Sequence, residues 1–220
     1  MSTAPRWRRG VLEKPDLLCP TEDEYFILDL LDGLRDCNSA LGRREDELDN
    51  LREIYAKTKI AYRGQHVKTY AAAYRYGVAL IEQHYVRDAF VLLHQVSRNA
   101  EADLGECQRL FIGLMHTYYL SLWLYHFYGH EGYRKDLRVA VKGLLHLAAI
   151  LAPRAQDDRQ KRHVERLLRT LLTHQLDWSL DDLELDSAEQ QIVDRLADLP
   201  AASYGMNAVH YMRYISSAGF

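Results

Sequence analysis

From Glu22 onward the apolar positions step by three and four: Ile27, Leu30, Leu34, Cys37, Leu41, then Arg44, Leu48, Leu51, Tyr55, Thr58 and Tyr62. This is a heptad-like helical seam, interrupted by Arg44 and softened by Thr58. Thr21-Glu22-Asp23-Glu24, after Pro20, reads as a capping box that opens it. Gly33 and Gly42 each weaken a helix by about 1 kcal/mol relative to Ala. Two structures satisfy the seam: one helix of roughly 40 residues, or a hairpin broken near Cys37-Asn38-Ser39-Ala40-Leu41-Gly42-Arg43. The Asn-Ser pair and the nearby glycine favour the break.

Beyond residue 63 the 3.6-residue period predicts helices over 66–83, 87–101, 104–128, 133–151, 155–176, 187–199 and 204–215. Pro153 ends one of them, Ser187-Ala188-Glu189-Gln190 reads as a second capping box, and Pro200 closes the helix it opens. The segment DWSLDDLELD lacks the period and reads as an acidic loop. No stretch sustains the period-2 alternation of strands, and prolines occur only at 5, 15, 20, 153 and 200. The expected fold class is all-α. Four segments are expected: a flexible basic arm (1–20), a helical segment (21–63), a core of helical hairpins (64–177), and an acidic loop with C-terminal helices (178–220).

The stretch YGVALIEQHYVRDAFVLLHQV, Tyr76 to Val96, reads as one such hairpin with Tyr85 at its turn. Gly77 and Ala89 lie twelve residues apart, and two small residues there let the helices approach closely. Gly77, Leu80, Ala89 and Leu93 resemble the tetratricopeptide repeat. The match is partial: Ala73 stands where that repeat has a large aromatic, and Glu101 where it has proline. Gly113 follows Gly77 by 36 residues, near the family period of about 34. A later echo, with Tyr133 and Asp136 matching Tyr85 and Asp88, is spaced by 48. Another kind of helical bundle therefore remains open. The resemblance implies stacked antiparallel hairpins that hold a polypeptide along the first helix of each pair. The residues implied are Tyr74, Val78, Ile81 and Glu82, with Leu114 and Tyr118 in the weaker copy. The competing reading places Val78, Ile81 and Leu114 in the core, because a short chain must bury most of its apolar surface.

Composition narrows the function. The chain has 220 residues, 48% hydrophobic and 27% charged, the profile of a soluble globular protein. A net charge of −3 provides no global basic field for nucleic acid. Cys19, Cys37 and Cys107 are odd in number and widely separated, which fits a reducing compartment better than a disulfide framework or a zinc site. The N-terminus lacks the apolar run of a secretory signal. The most apolar stretch, Gly113 to Gly129, carries Tyr and His and reads as a buried helix, not a membrane span. A cytoplasmic location is expected. Tyrosine, at 15 residues against five Phe, suits packing between helices or a contact surface.

The tests for chemistry find little. His126 and His130 are four apart, but glycines flank His130, and no HExxH or Glu-x-x-His pair occurs. No P-loop, GxGxxG or GxSxG is present. Arg109 with His116, and Arg169 with His174, resemble the Arg–His pair of HEPN-type all-α ribonucleases, in which the His works as acid or base. Leu110 follows Arg109 where that family has a polar residue, whereas Thr170 follows Arg169. Charge is uneven: RWRRG is a basic arm containing Trp7, Pro153–Arg169 a basic helix, and the following loop acidic. These runs read first as solvated faces. The acidic loop folding onto the basic helix, or docking on a basic partner, is the sharper reading. The expected function is a non-enzymatic, cytoplasmic protein-binding adaptor, assembly factor or chaperone. Its partner would be another protein or peptide, with a homodimer or larger complex formed through residues 27–62. No cofactor, metal, membrane or nucleic acid is expected. A HEPN-like ribonuclease is the alternative. A nucleic-acid-binding module using the basic arm and helix would show steep salt dependence.

Overall fold

The computed structural model describes residues 22–62, 66–105, 109–127, 134–154, 158–173 and 185–197. The basic arm, the Thr21 cap, His130, Tyr133, His174, the acidic loop and the 204–215 helix lie outside the described residues, as do the side chains of His126 and Asp136. Among the described residues every regular element is a helix. They are α1 (Glu22–Ala40), α2 (Arg44–Ala61), α3 (Val67–Glu82), α4 (Val86–Leu104), α5 (Arg109–Phe127), α6 (Arg134–Leu151), α7 (Arg159–Thr173) and α8 (Ser187–Ala197). The fold is all-α, and among the described residues no helix is long and apolar enough to cross a membrane. The chain divides into two units, Met1–Ala72 and Ala73–Phe220, a division that falls inside α3.

In the first unit the seam is broken into a hairpin, so the single long helix is not formed. The break is a helix stop of the Schellman type. Arg43 N–H donates to Asn38 O (2.9 Å) and Gly42 N–H to Ser39 O (3.1 Å), with Gly42 at φ +67°. α2 then starts with Glu45, Asp46 and Glu47 and ends with Lys59, charges that complement its macrodipole. It buries Leu48, Leu51, Ile54 and Thr58, and the Thr58 hydroxyl donates back to Ile54 O (2.6 Å). Leu31 of α1 meets Ile54 and Ala72, with Leu28 and Tyr55 packed beside them. The α2 half of the seam is therefore internal. The α1 half is not: α1 turns its Leu28–Leu31 line inward and leaves the 27/30/34/37/41 line outside.

In the second unit α3 ends in the same stop, with His84 in the left-handed position at φ +66°. Tyr85 N–H donates to Leu80 O (2.8 Å) and His84 N–H to Ile81 O (3.0 Å), which places Tyr85 at the turn as the sequence predicts. Gly77 makes room for α4, but the group that uses the room is the Leu93 side chain. A Cβ at Gly77 would lie 2.8 Å from Leu93 Cδ2, while Ala89 is wholly buried alongside.

α5 packs against α4, α6 and α7, and α6 against α7 and α8. From Phe111 to Leu124 nearly every α5 side chain is buried, as its apolar, stripe-free sequence requires. Its Thr and Ser hydroxyls are satisfied within the helix: Thr117 donates to Gly113 O (2.8 Å) and Ser121 to Tyr118 O (2.7 Å). On α6, Gly143 lies against the Tyr119 phenol of α5 so closely that a Cβ there would fall inside it.

The α6–α7 turn is held by a buried cation. Lys161 Nζ donates to Ala152 O and Arg154 O, both at 3.0 Å, and so satisfies carbonyls at the negative end of α6. Asp158 accepts from Lys161 N–H (3.0 Å) to cap α7. The α8 capping box is shifted by one residue from the sequence reading. Asp186 is the cap, accepting from Ala188 and Glu189 N–H, and Glu189 accepts from Asp186 N–H (3.0 Å). Arg195 pairs with Glu165 of α7.

Two substitutions check this packing by denaturant unfolding. His84→Gly relieves a left-handed non-glycine residue and is expected to stabilise by about 1 kcal/mol. Gly143→Ala forces the enclosed Tyr119 ring to move and is expected to cost about 1–3 kcal/mol despite the helix propensity gained.

Candidate functional site

The six residues expected to hold a partner do not share one exposed face. Ile81 is 1% exposed and Leu114 0%, so both are core residues, and the exposure expected of them is not found. Tyr118 is buried too, with His94 Nδ1 hydrogen-bonded to its hydroxyl at 3.0 Å. Tyr74, Val78 and Glu82 remain partly exposed on α3. The Tyr74 ring rests on the α5 backbone at Gly113, where a Cβ would meet it at 3.4 Å. Burial pushes its phenol up to about 12; the cations Arg159 and Arg109 oppose that rise and Glu82 adds to it. The physical reason for the mismatch is the enclosure of α5: a helix covered on all sides cannot offer Leu114 and Tyr118 to a ligand.

The tyrosines mostly serve packing between helices. Of the nine whose side chains are described, Tyr85 alone is exposed. Phe90 of α4 stacks with Tyr125 (ring centroids 5.2 Å apart, planes at 8°) and with Tyr118 (6.2 Å, 15°) of α5.

A pair of histidines that the sequence did not bring together meets between α5 and α7. The rings of His116 and His163 are 6.2 Å apart, and both residues are buried. Burial lowers His116 to about 3, helped by His163, while a backbone hydrogen bond with His163 opposes. His163 falls to about 4, through burial first and then the charges of Arg159, Arg166 and Arg162. Both imidazoles are neutral near pH 7, far from the range suited to acid–base work. At 4% exposure His116 has no surface for a nucleotide, whereas Arg109 is exposed at the start of α5. His163 sits in the run read as a solvated basic helix. The signal that could have found it is the apolar line Val164, Leu167, Leu168 and Leu171, which turns α7 so that Lys161 and His163 fall near its inner face. Among the described residues no group of three or more His, Cys, Asp or Glu is placed to hold a metal ion.

The most conspicuous surface feature lies on α1. Phe26, Ile27, Leu30, Leu34 and Leu41 form one stripe, from 38% exposed at Ile27 to 69% at Phe26. Cys37 lies in the same stripe as an exposed thiol. Arg35, off the stripe, pairs with Asp32 (3.0 Å) and Asp36 (2.5 Å). Contiguous apolar surface of this kind marks interaction sites in soluble proteins. What the arrangement offers chemically is hydrophobic contact beside the Cys37 thiol.

No family model matches the chain, and no curated protein matches it.

The histidine pair makes stability acid-sensitive. Both folded values lie below the unfolded value of 6.5. Below pH 6.5 the unfolded chain binds protons that the folded chain refuses, so stability is full above that pH and falls as the pH drops toward 4 and then 3. The expected slope is about 1.4 kcal/mol per pH unit for each imidazole. Denaturant unfolding of wild type and His116→Gln at pH 7 and pH 5 measures it; the variant is expected to lose less on acidification.

Proposed function

We propose that the protein is a non-enzymatic, cytoplasmic adaptor, assembly factor or chaperone that binds another polypeptide through helical surface. The observation that carries this reading is the exposed apolar stripe of α1. Five large hydrophobic side chains facing solvent on one helix line have no role in the hairpin core, which Leu31 already serves. The tetratricopeptide-like reading of α3 and α4 belongs to the same proposal. It is supported by the Gly77–Leu93 contact and the tight stop at His84–Tyr85, and it keeps Tyr74, Val78 and Glu82 as a second, smaller contact region. The sealed, neutral His116 gives the ribonuclease alternative no such support.

The test uses the full chain as bait against native lysate, beside the Leu30→Glu/Leu34→Glu variant. Wild type is expected to retain a polypeptide in stoichiometric amount, and the variant to lose it while its circular dichroism stays helical. Equal capture by both proteins, or RNA cleavage by wild type that His116→Ala abolishes, would overturn the reading.

A further inference from the structure

We infer that the α1 stripe is a self-association seam whose occupant is the same stripe on a second copy of this chain. This rests on the protein-binding reading of α1 and names the partner. Three observations select a second copy. The first is register. Ile27, Leu30, Leu34, Cys37 and Leu41 repeat by three and four without a break, the 3.5-residue period at which helices interlock side by side. A helix carrying that period is matched by another that carries it, and an identical α1 does.

The second observation is charge. With Ile27, Leu34 and Leu41 as one line of the seam and Leu30 and Cys37 as the other, the flanking positions are Phe26, Gly33 and Ala40 on one side and Leu31 and Asn38 on the other. None is ionisable. Two identical stripes therefore bring no like charges together, and nothing along the seam selects an acidic or basic stranger. The charged residues Asp29, Asp32, Arg35 and Asp36 all fall away from it, with Arg35 tied to its neighbours.

The third observation is steric. Gly33 and Ala40 are both exposed on one flank, and a Cβ built at Gly33 would meet nothing within 4 Å. That flank is open to the close approach of another helix. Because α1 is already paired with α2 through its other face, two copies joined at α1 would make a four-helix arrangement, a common solution for hairpins. The seam spans about 21 Å of helix at 1.5 Å per residue. So short an interface predicts a reversible dimer with a Kd on the order of micromolar.

Sedimentation velocity of the full chain from about 1 to 100 µM tests the inference. Wild type is expected to shift from monomer to dimer across that range. Leu30→Glu/Leu34→Glu is expected to stay monomeric with unchanged helicity, its Kd raised by about 100-fold or more. Leu34→Ala, which adds no charge, is expected to raise Kd by about 10-fold, and it decides the matter if the double variant loses its fold. Wild type that stays monomeric throughout would overturn self-association. If, in that case, capture of a different polypeptide remained sensitive to the double substitution, the broader protein-binding reading would stand alone. A dimer unaffected by Leu34→Ala and by the double variant would place the interface elsewhere and overturn the α1 seam, leaving the protein-binding reading to the capture experiment.

Discussion

The second unit depends on the enclosure of α5. Between Phe111 and Leu124 this helix presents apolar side chains in every direction, and a helix without a polar stripe has no face it can leave in water. α4, α6 and α7 supply the cover. The details of the unit follow from that demand. Gly143 lets α6 lie directly on the Tyr119 ring. Thr117 and Ser121 turn their hydroxyls onto carbonyls of their own helix, because an unsatisfied hydroxyl in such a place would be costly. His116 is held neutral because burial penalises its charged form more than the backbone hydrogen bond with His163 supports it.

The same constraint separates structural polarity from functional polarity. Lys161, His163 and Glu189 are buried, and two of them answer a need of the fold. Lys161 neutralises the carbonyl end of α6, Glu189 closes the capping box of α8, and His163 meets His116 where α7 covers α5. Buried polar residues are often read as signs of catalysis. Here the geometry gives two of them the work of ending or starting helices. The feature that no internal demand explains is apolar and lies outside, along α1.

Much of the fold was legible in the sequence because helix periods and stop signals are local. The expected spans coincide with α3 through α8 to within a few residues, and the Asn-Ser-Ala-Leu-Gly run marks the α1–α2 break that Gly42 executes. The stop at His84 had only Tyr85 to announce it, since no glycine stands at the left-handed position. The intended contact between Gly77 and Ala89 was half read: the glycine does admit the neighbouring helix, but through Leu93, because a knob of that size fills the gap a missing Cβ leaves. The site was less legible. Placing Leu114 and Tyr118 on a surface treated α5 as the first, ligand-holding helix of a repeat pair, although its own sequence, apolar all round, argued that it would be covered. In α1 the seam was correctly seen as a helical line, but a single line cannot tell whether its partner is the next helix or something outside. The structure resolves that for the hairpin by giving α2 the Leu28–Leu31 side.

Amide hydrogen exchange across the full chain measures the enclosure of α5 most directly. The account predicts that the amides of residues 111–124 exchange last in the second unit, and only through global unfolding, with a denaturant dependence equal to that of the whole unit. Exchange of α5 by local opening, as fast as that of exposed helix ends, would show that the helix is not the enclosed centre described here.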